Sequence, residues 1–170
     1  MKPILIDAFD FGRQKLHRDG EVAVLELPRL AAECVDHSGT LDWSVDGGAH
    51  PTGQVQLLMR VSGPVQLMCQ RCMQPFAYAI DSESVLVLAN DDAHADQVEA
   101  MLDDDTIDVI VATHDMNLAD LIEDEALLAL PQSPKHARCP AQVSGNSEAV
   151  AAPGMADKPS PFAVLKNIKH

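Results

Sequence analysis

Gly53-Gln-Val-Gln-Leu-Leu-Met-Arg-Val-Ser-Gly-Pro-Val-Gln-Leu-Met-Cys-Gln-Arg-Cys72 alternates apolar and polar side chains along most of its length. Val55, Leu57, Met59 and Val61 keep one parity, and Val65, Leu67 and Cys69 take up the same period. A period of two puts such side chains on one face of a pleated strand. Ser62-Gly63-Pro64 between the two runs carries turn residues. The expected unit is therefore a β-hairpin with Cys69-Gln70-Arg71-Cys72 at its far end.

Working outward, Pro75 breaks the chain, Phe76, Tyr78 and Ile80 alternate, and Val85 to Leu88 read as another strand. Upstream, Leu41 to Val45 alternates around Trp43. Glu21 to Leu27 reads as a strand with Val22, Val24 and Leu25 inward, and Pro28 opens a short helical stretch through Leu30, Ala31 and Ala32. Asn90 to Asp105 is acidic and poorly patterned, a loop holding at most a weak helix, and Ile107 to Val111 is a returning strand. Asn117 is an N-cap with Asp120 three residues on, launching a helix over Leu118 to Leu130 that Pro131 stops. On its wheel Leu118, Leu121, Ile122, Leu128 and Ala129 share a face, with Asp120, Glu123 and Asp124 away from it. Glu125 falls inside the apolar stripe. It either pairs with a basic group such as Arg71 or Arg60 or, the simpler reading, reaches water at the helix edge.

The expected fold is α+β: an antiparallel β-sheet, open or barrel-like, with one principal helix and a short C-terminal helix after a flexible linker. Residues 1–139 form the domain. Residues 140–160, rich in Ala, Gly, Ser and Pro, form the linker. Residues 161–170 form a docking segment in which Phe162, Leu165 and Ile168 stand at helical spacing beside Lys166 and Lys169.

With 170 residues, 46% of them hydrophobic, the chain has a core to build, since domains of this size bury roughly 70% of their unfolded surface. Asp7, Asp10 and Arg13 interrupt the N-terminus, and no run of about 20 apolar residues occurs, so a soluble cytoplasmic protein is expected, away from membranes. In a reducing compartment its four cysteines are thiols or metal ligands, and Cys34, apart from the others, is core filling. The formal charge is -14, and from Cys72 to Pro134 there is no lysine or arginine. Such a surface repels phosphodiester and suits a basic partner protein, although charge that merely keeps the chain soluble explains the sign equally well. Aromatics, at 4%, supply few stacking platforms for single-stranded nucleic acid.

Cys69 and Cys72 offer zinc two thiolates on a tight turn, and the pair that would close a tetrahedral, structural site is His136 and Cys139, in a proline-bounded loop past the principal helix. The alternative is buried or reduced thiols without metal. Disulfide exchange fits poorly, because it needs its first cysteine at a helix start, and Pro75 with the alternation after it argues for strand. No phosphate-binding glycine loop, nucleophile elbow or paired histidines are present, and His94 and His114 read as exposed loop residues. No small-molecule substrate is implied. An RNA-cleaving enzyme would have to use Asp103, Asp104 and Asp105 with magnesium, and acid runs are usually solvated.

These blocks resemble the YceD family, the bacterial large ribosomal RNA subunit accumulation proteins. The resemblance lies in Cys-Gln-Arg-Cys-Met-Gln-Pro-Phe over residues 69–76, in Asp-Leu-Ile-Glu-Asp-Glu-Ala-Leu-Leu-Ala-Leu-Pro over 120–131, in His136 followed by Cys139, and in Pro-Ser-Pro-Phe-Ala-Val-Leu-Lys over 159–166. It implies a role in the synthesis, processing or stability of 23S ribosomal RNA, with no catalytic residue to carry across. The reading that joins charge and resemblance is a non-enzymatic ribosome biogenesis factor whose acidic face, centred on Asp91 to Asp124, holds a basic ribosomal protein or a pre-large-subunit particle, touching ribosomal RNA indirectly. The alternative is direct RNA binding around a structural zinc site, through Arg71, Lys135, Arg138, Lys166 and Lys169.

Overall fold

The computed structural model describes residues 3–102, 104 and 106–140. The chain runs β1 (Leu5–Ile6), α1 (Ala8–Arg13), β2 (His17–Ala23), a 3₁₀ turn over Val24–Glu26, α2 (Pro28–Glu33), β3 (Thr40–Ala49), β4 (Val55–Met68), β5 (Pro75–Ala89), α3 (Asp92–Leu102), β6 (Ile107–Val111), β7 (Met116–Asn117) and α4 (Leu118–Leu128). The fold is α+β, and its main sheet is open, in the order β2-β3-β4-β5-β6, with β1 and β7 forming a separate pair. Met1–Cys139 is one compact unit. The expected linker lies outside the described residues beyond Pro140, and the C-terminal docking segment lies wholly outside them.

The alternation that suggested a hairpin with its turn at Ser62-Gly63-Pro64 instead makes one strand of 14 residues. Leu57, Met59, Val61, Val65, Leu67 and Cys69 are all buried, so the inward parity passes through Gly63 unbroken. Gly63 sits at φ +150, where an added Cβ would meet the Thr40 carbonyl oxygen at 2.6 Å. It admits a close approach of backbone rather than a reversal. Pro64 is tolerated because pairing with β3 ends at Asp42 opposite Ser62, and the Gln66 carbonyl, facing the same way two residues on, accepts instead from Val35 N–H at 2.7 Å. β5 is likewise continuous: Pro75 starts the strand opposite Met68, and pairing runs on to Val87 opposite Gln56.

The sheet is antiparallel except at its last strand, since β6 lies parallel to β5. Parallel neighbours need a crossover, and the acidic stretch read as a loop holding at most a weak helix supplies it as α3, which packs on β5 and β6 with Val98 buried. His94 therefore sits on a helix, its Nδ1 accepting from Asn90 N–H at 3.2 Å, while His114 is an exposed loop residue. The opposite sheet face, bearing Leu41, Trp43, Val45, Leu57, Met59, Ile80 and Leu86, forms the core with α1, α2 and α4. Cys34 packs at the margin of that core. Leu25 leaves the core entirely, because the strand expected through Leu27 ends at Ala23 and the 3₁₀ turn swings its side chain out, 67% exposed.

α4 begins as its sequence dictates, Asn117 Oδ1 accepting from Ala119 N–H at 3.2 Å and also from Ile4 N–H at 3.1 Å. It ends at Leu128, two residues early, and Leu128 is 79% exposed instead of facing the core. Glu123, placed by the wheel on the solvent side, is buried. Its carboxylate accepts the N–H groups of Arg29 and Leu30 at 2.6 and 3.2 Å, capping α2, whose own N-cap Leu27 has no side-chain acceptor. Glu125 is also buried, and it neither reaches water nor meets Arg60 or Arg71. Ser82 Oγ and Ser84 Oγ on β5 donate to its carboxylate, Ser84 at 2.7 Å.

Candidate metal centre at the β4–β5 turn

The hairpin turn of the sheet is the C-x-x-C segment itself. Cys69 N–H donates to the Gln74 carbonyl at 3.0 Å and Met73 N–H to the Cys69 carbonyl at 2.9 Å, with Met73 in the left-handed region at φ 55. Sequence spacing shows the two cysteines but not the unusual backbone that aims them. The loop after α4 is fastened across this turn, Gln70 N–H donating to the Pro134 carbonyl at 2.9 Å and Ser133 Oγ to Gln70 Oε1 at 2.9 Å. His136 rests against the Phe76 ring, centroids 5.0 Å apart.

The donor atoms of Cys69, Cys72, His136 and Cys139 thereby lie within 4.8 Å of one another. Cys69 Sγ and Cys139 Sγ are 3.8 Å apart, and Cys72 Sγ and His136 Nδ1 are 3.4 Å apart. Tetrahedral zinc at about 2.3 Å from sulfur and about 2.0 Å from nitrogen needs donor separations of roughly 3.5–3.8 Å. Three thiols and one imidazole are also a donor set that soft and borderline metals prefer, so the residues fit a structural ion.

Their electrostatics point the same way. Burial opposes ionisation of Cys69, but backbone N–H groups of His136, Cys72 and Arg71 directed at its sulfur outweigh that and bring its pKa down to about 5. Cys72 is pushed up, by burial and by sharing hydrogen bonds with the neighbouring thiols. Arg71, considered from sequence as an RNA contact or a partner of Glu125, lies against the cluster: its Nε donates to Cys139 Sγ at 3.0 Å and a terminal nitrogen to the His136 carbonyl at 3.2 Å. An adjacent guanidinium offsets the charge that clustered thiolates accumulate. Lys135 and Arg138 are exposed on either side of His136, with no acidic partner among the described residues.

Of the three carboxylates in the magnesium reading, Asp103 and Asp105 lie outside the described residues, and Asp104 Oδ1 accepts from the Thr106 hydroxyl and N–H at 2.6 and 2.9 Å. Among the described residues no helix is long and apolar enough to cross a membrane.

The profile of the family described as large ribosomal RNA subunit accumulation protein YceD matches residues 57–169, which includes the hairpin, the turn, α4 and the His136 to Cys139 loop. The chain belongs to this family. It is 31% identical over 175 residues, 99% of its own length and 96% of the relative's, to the large ribosomal RNA subunit accumulation protein YceD of Haemophilus influenzae. No solved structure matches it. The family's description names an RNA whose accumulation its members support, and no chemical reaction.

Proposed function

We propose that this chain is a non-enzymatic factor in the accumulation of large-subunit, 23S ribosomal RNA, and that it works by holding a basic ribosomal protein. The process comes from family membership. The partner class rests on one observation: β5, α3, β6, β7 and α4 contain no lysine or arginine, while acids recur on all of them except the two-residue β7. A cationic polypeptide is attracted to such a surface and phosphodiester is repelled. The test is affinity purification from cells at low and high salt, with protein and RNA identified before and after nuclease. A ribosomal protein that survives nuclease and dissociates as salt rises supports the reading; RNA retained by the purified chain with no bridging protein overturns it.

A second reading is favoured by the basic groups at the turn. Arg71, Lys135 and Arg138 surround the cysteine cluster and form a small cationic site for RNA on a molecule of opposite overall sign. Lys166 and Lys169, which would extend it, lie outside the described residues. Replacing Arg138 and Lys135 with glutamate separates the readings, since only the RNA reading loses binding.

In both, Cys69, Cys72, His136 and Cys139 hold a structural zinc ion that ties the turn to the loop after α4. The ion contributes folding free energy and leaves no open position for chemistry. Native mass spectrometry of reduced protein tests this: a zinc-mass adduct removed by chelator is expected, and its absence counts against the site.

A further inference from the structure

Among the described residues the sheet ends at β6, and on the side facing α4 they leave it incompletely covered. Because β6 is parallel to β5 with Leu86 opposite Asp108 and Leu88 opposite Ile110, Asp108 and Ile110 share the α4 face of the sheet. Between them and the last turn of α4 runs a groove of about 420 Å³ with an apolar floor that includes Met59, Leu86 and Leu121. Leu128 stands on its rim, more exposed than any other large apolar side chain described. Glu125 lines it too, a buried carboxylate held by two serine hydroxyls with no cation beside it among the described residues. Asp124, on the rim, is already paired with Arg29 at 2.6 Å. On the opposite side of the same edge a second depression is lined by Glu99 and Asp104.

Among the described residues, β6 has a strand neighbour on one side only. A strand added to its free edge would alternate between the two depressions, one apolar with acid at its margin, the other acidic. We propose that this edge is where the partner binds: a short extended segment of a basic protein pairs with β6, seats apolar side chains against Leu121 and Leu128, and directs the alternate lysines or arginines at Glu99, Asp104 and Asp108, which line the other depression. This rests on the reading of a basic protein partner and locates it. Charge complementarity selects the occupant, because an acidic or neutral strand of the same apolar pattern would leave Glu99, Asp104 and Asp108 without counter-charge. Exposed sheet edges are otherwise blunted by lysine, proline or a covering element. β6 carries neither lysine nor proline, and its Val111 is 40% exposed.

The experiment uses the full-length chain, labelled with ¹⁵N, and a synthetic heptapeptide alternating arginine or lysine with leucine, titrated at low salt against a control in which glutamate replaces every basic residue. Amide shifts concentrated on 107–111 and 121–128, with no binding of the control, are expected. Leu128→Asp and Asp108→Lys, both at exposed positions, should each weaken the basic peptide at least tenfold and leave the spectrum of the free protein otherwise unchanged. Shifts concentrated on the cysteine turn or on the outer face of β2 and β3, or affinity that neither variant alters, would overturn the assignment. So would a concentration-dependent dimer abolished by Leu128→Asp, which would give the face to a second copy of the chain. The same two variants in the cellular purification separate the failures: a basic ribosomal protein retained equally by wild type and both variants removes this site and leaves the partner class standing.

Discussion

Two adjacent acids on α4 show how little a helical wheel says about where a long side chain ends. Glu123 lies on the polar side by angle, yet its carboxylate reaches α2 and accepts two N–H groups that Leu27 cannot satisfy. Nothing in the sequence local to either helix signals this, because the acceptor is 93 residues from the donor. Removing it strands buried donors, so Glu123→Ala should lower stability by roughly 1–3 kcal/mol, read as a fall in the urea midpoint at constant slope. Asp124→Ala, deleting the half-exposed partner of the same arginine, should cost less than about 1 kcal/mol. Equal losses would mean the capping account is wrong. A histidine pair gives a pH prediction at the same scale. The Asp7 carboxylate holds the His114 pKa above its ordinary 6.5, and Asp7 itself is lowered from 3.8, first by the Asp10 N–H and then by His114. The raised histidine contributes stability that is complete below 6.5 and disappears as pH climbs through its folded pKa, while the lowered Asp7 contributes above 3.8 and is lost as pH falls through its folded pKa. In an NMR titration of the His114 ring, Asp7→Asn should bring the midpoint back toward 6.5; an unchanged midpoint would remove Asp7 as the cause.

At the scale of elements, periodicity was the reliable signal and punctuation the misleading one. The apolar parity from Val55 to Cys69 never changes, which is the mark of a single strand, but Ser62-Gly63-Pro64 looks like a turn to any rule that weighs glycine and proline. The physical reason for those residues is the Thr40 carbonyl pressed against Gly63 and the departure of β3 beside Pro64. α3 was obscured for a different reason: an 11-residue crossover that buries only Val98 has almost no amphipathic pattern to read. One insertion tests the strand directly. A glycine added after Gly63 would be absorbed by a turn, but in a continuous strand it moves Val65, Leu67 and Cys69 to the opposite face. The expected result is loss of the cooperative thermal transition, whereas a glycine added at the exposed Thr52-Gly53 turn should shift the melting point by only a few degrees. Gly63→Ala should cost roughly 1–3 kcal/mol through strained backbone and the Thr40 contact.

At the scale of the whole molecule, the cysteine cluster joins parts of the chain that the sheet alone does not. Cys69 and Cys72 close the long β4–β5 hairpin, and His136 and Cys139 lie in the loop after α4, with Gln70 N–H to the Pro134 carbonyl as the only backbone-to-backbone hydrogen bond between the turn and that loop among the described residues. The first pair was legible from spacing, since two thiolates separated by two residues are a recognisable half-site; the second rested on weaker spacing, because nothing in a linear sequence says that a loop after α4 returns to the turn. What brings it back is the seating of α4 over β4 and β5, reinforced by Tyr78 Oη donating to the Ala129 carbonyl at 3.0 Å, just before the loop begins. The consequence of metal removal is therefore local in place and cooperative in cost. Chelation should speed amide exchange at 69–74 and 132–139 while the centres of β3, β4 and β5 stay protected, because their burial does not depend on the thiolates. The melting temperature should fall with it, a loss of even 1 kcal/mol corresponding to roughly 2–4 °C for a chain of this length. Cys72→Ser should reproduce both effects without chelator and become insensitive to added zinc. Exchange that quickens evenly across the sheet would mean the metal holds the whole fold, and exchange that does not change at all would mean the four side chains meet without an ion between them.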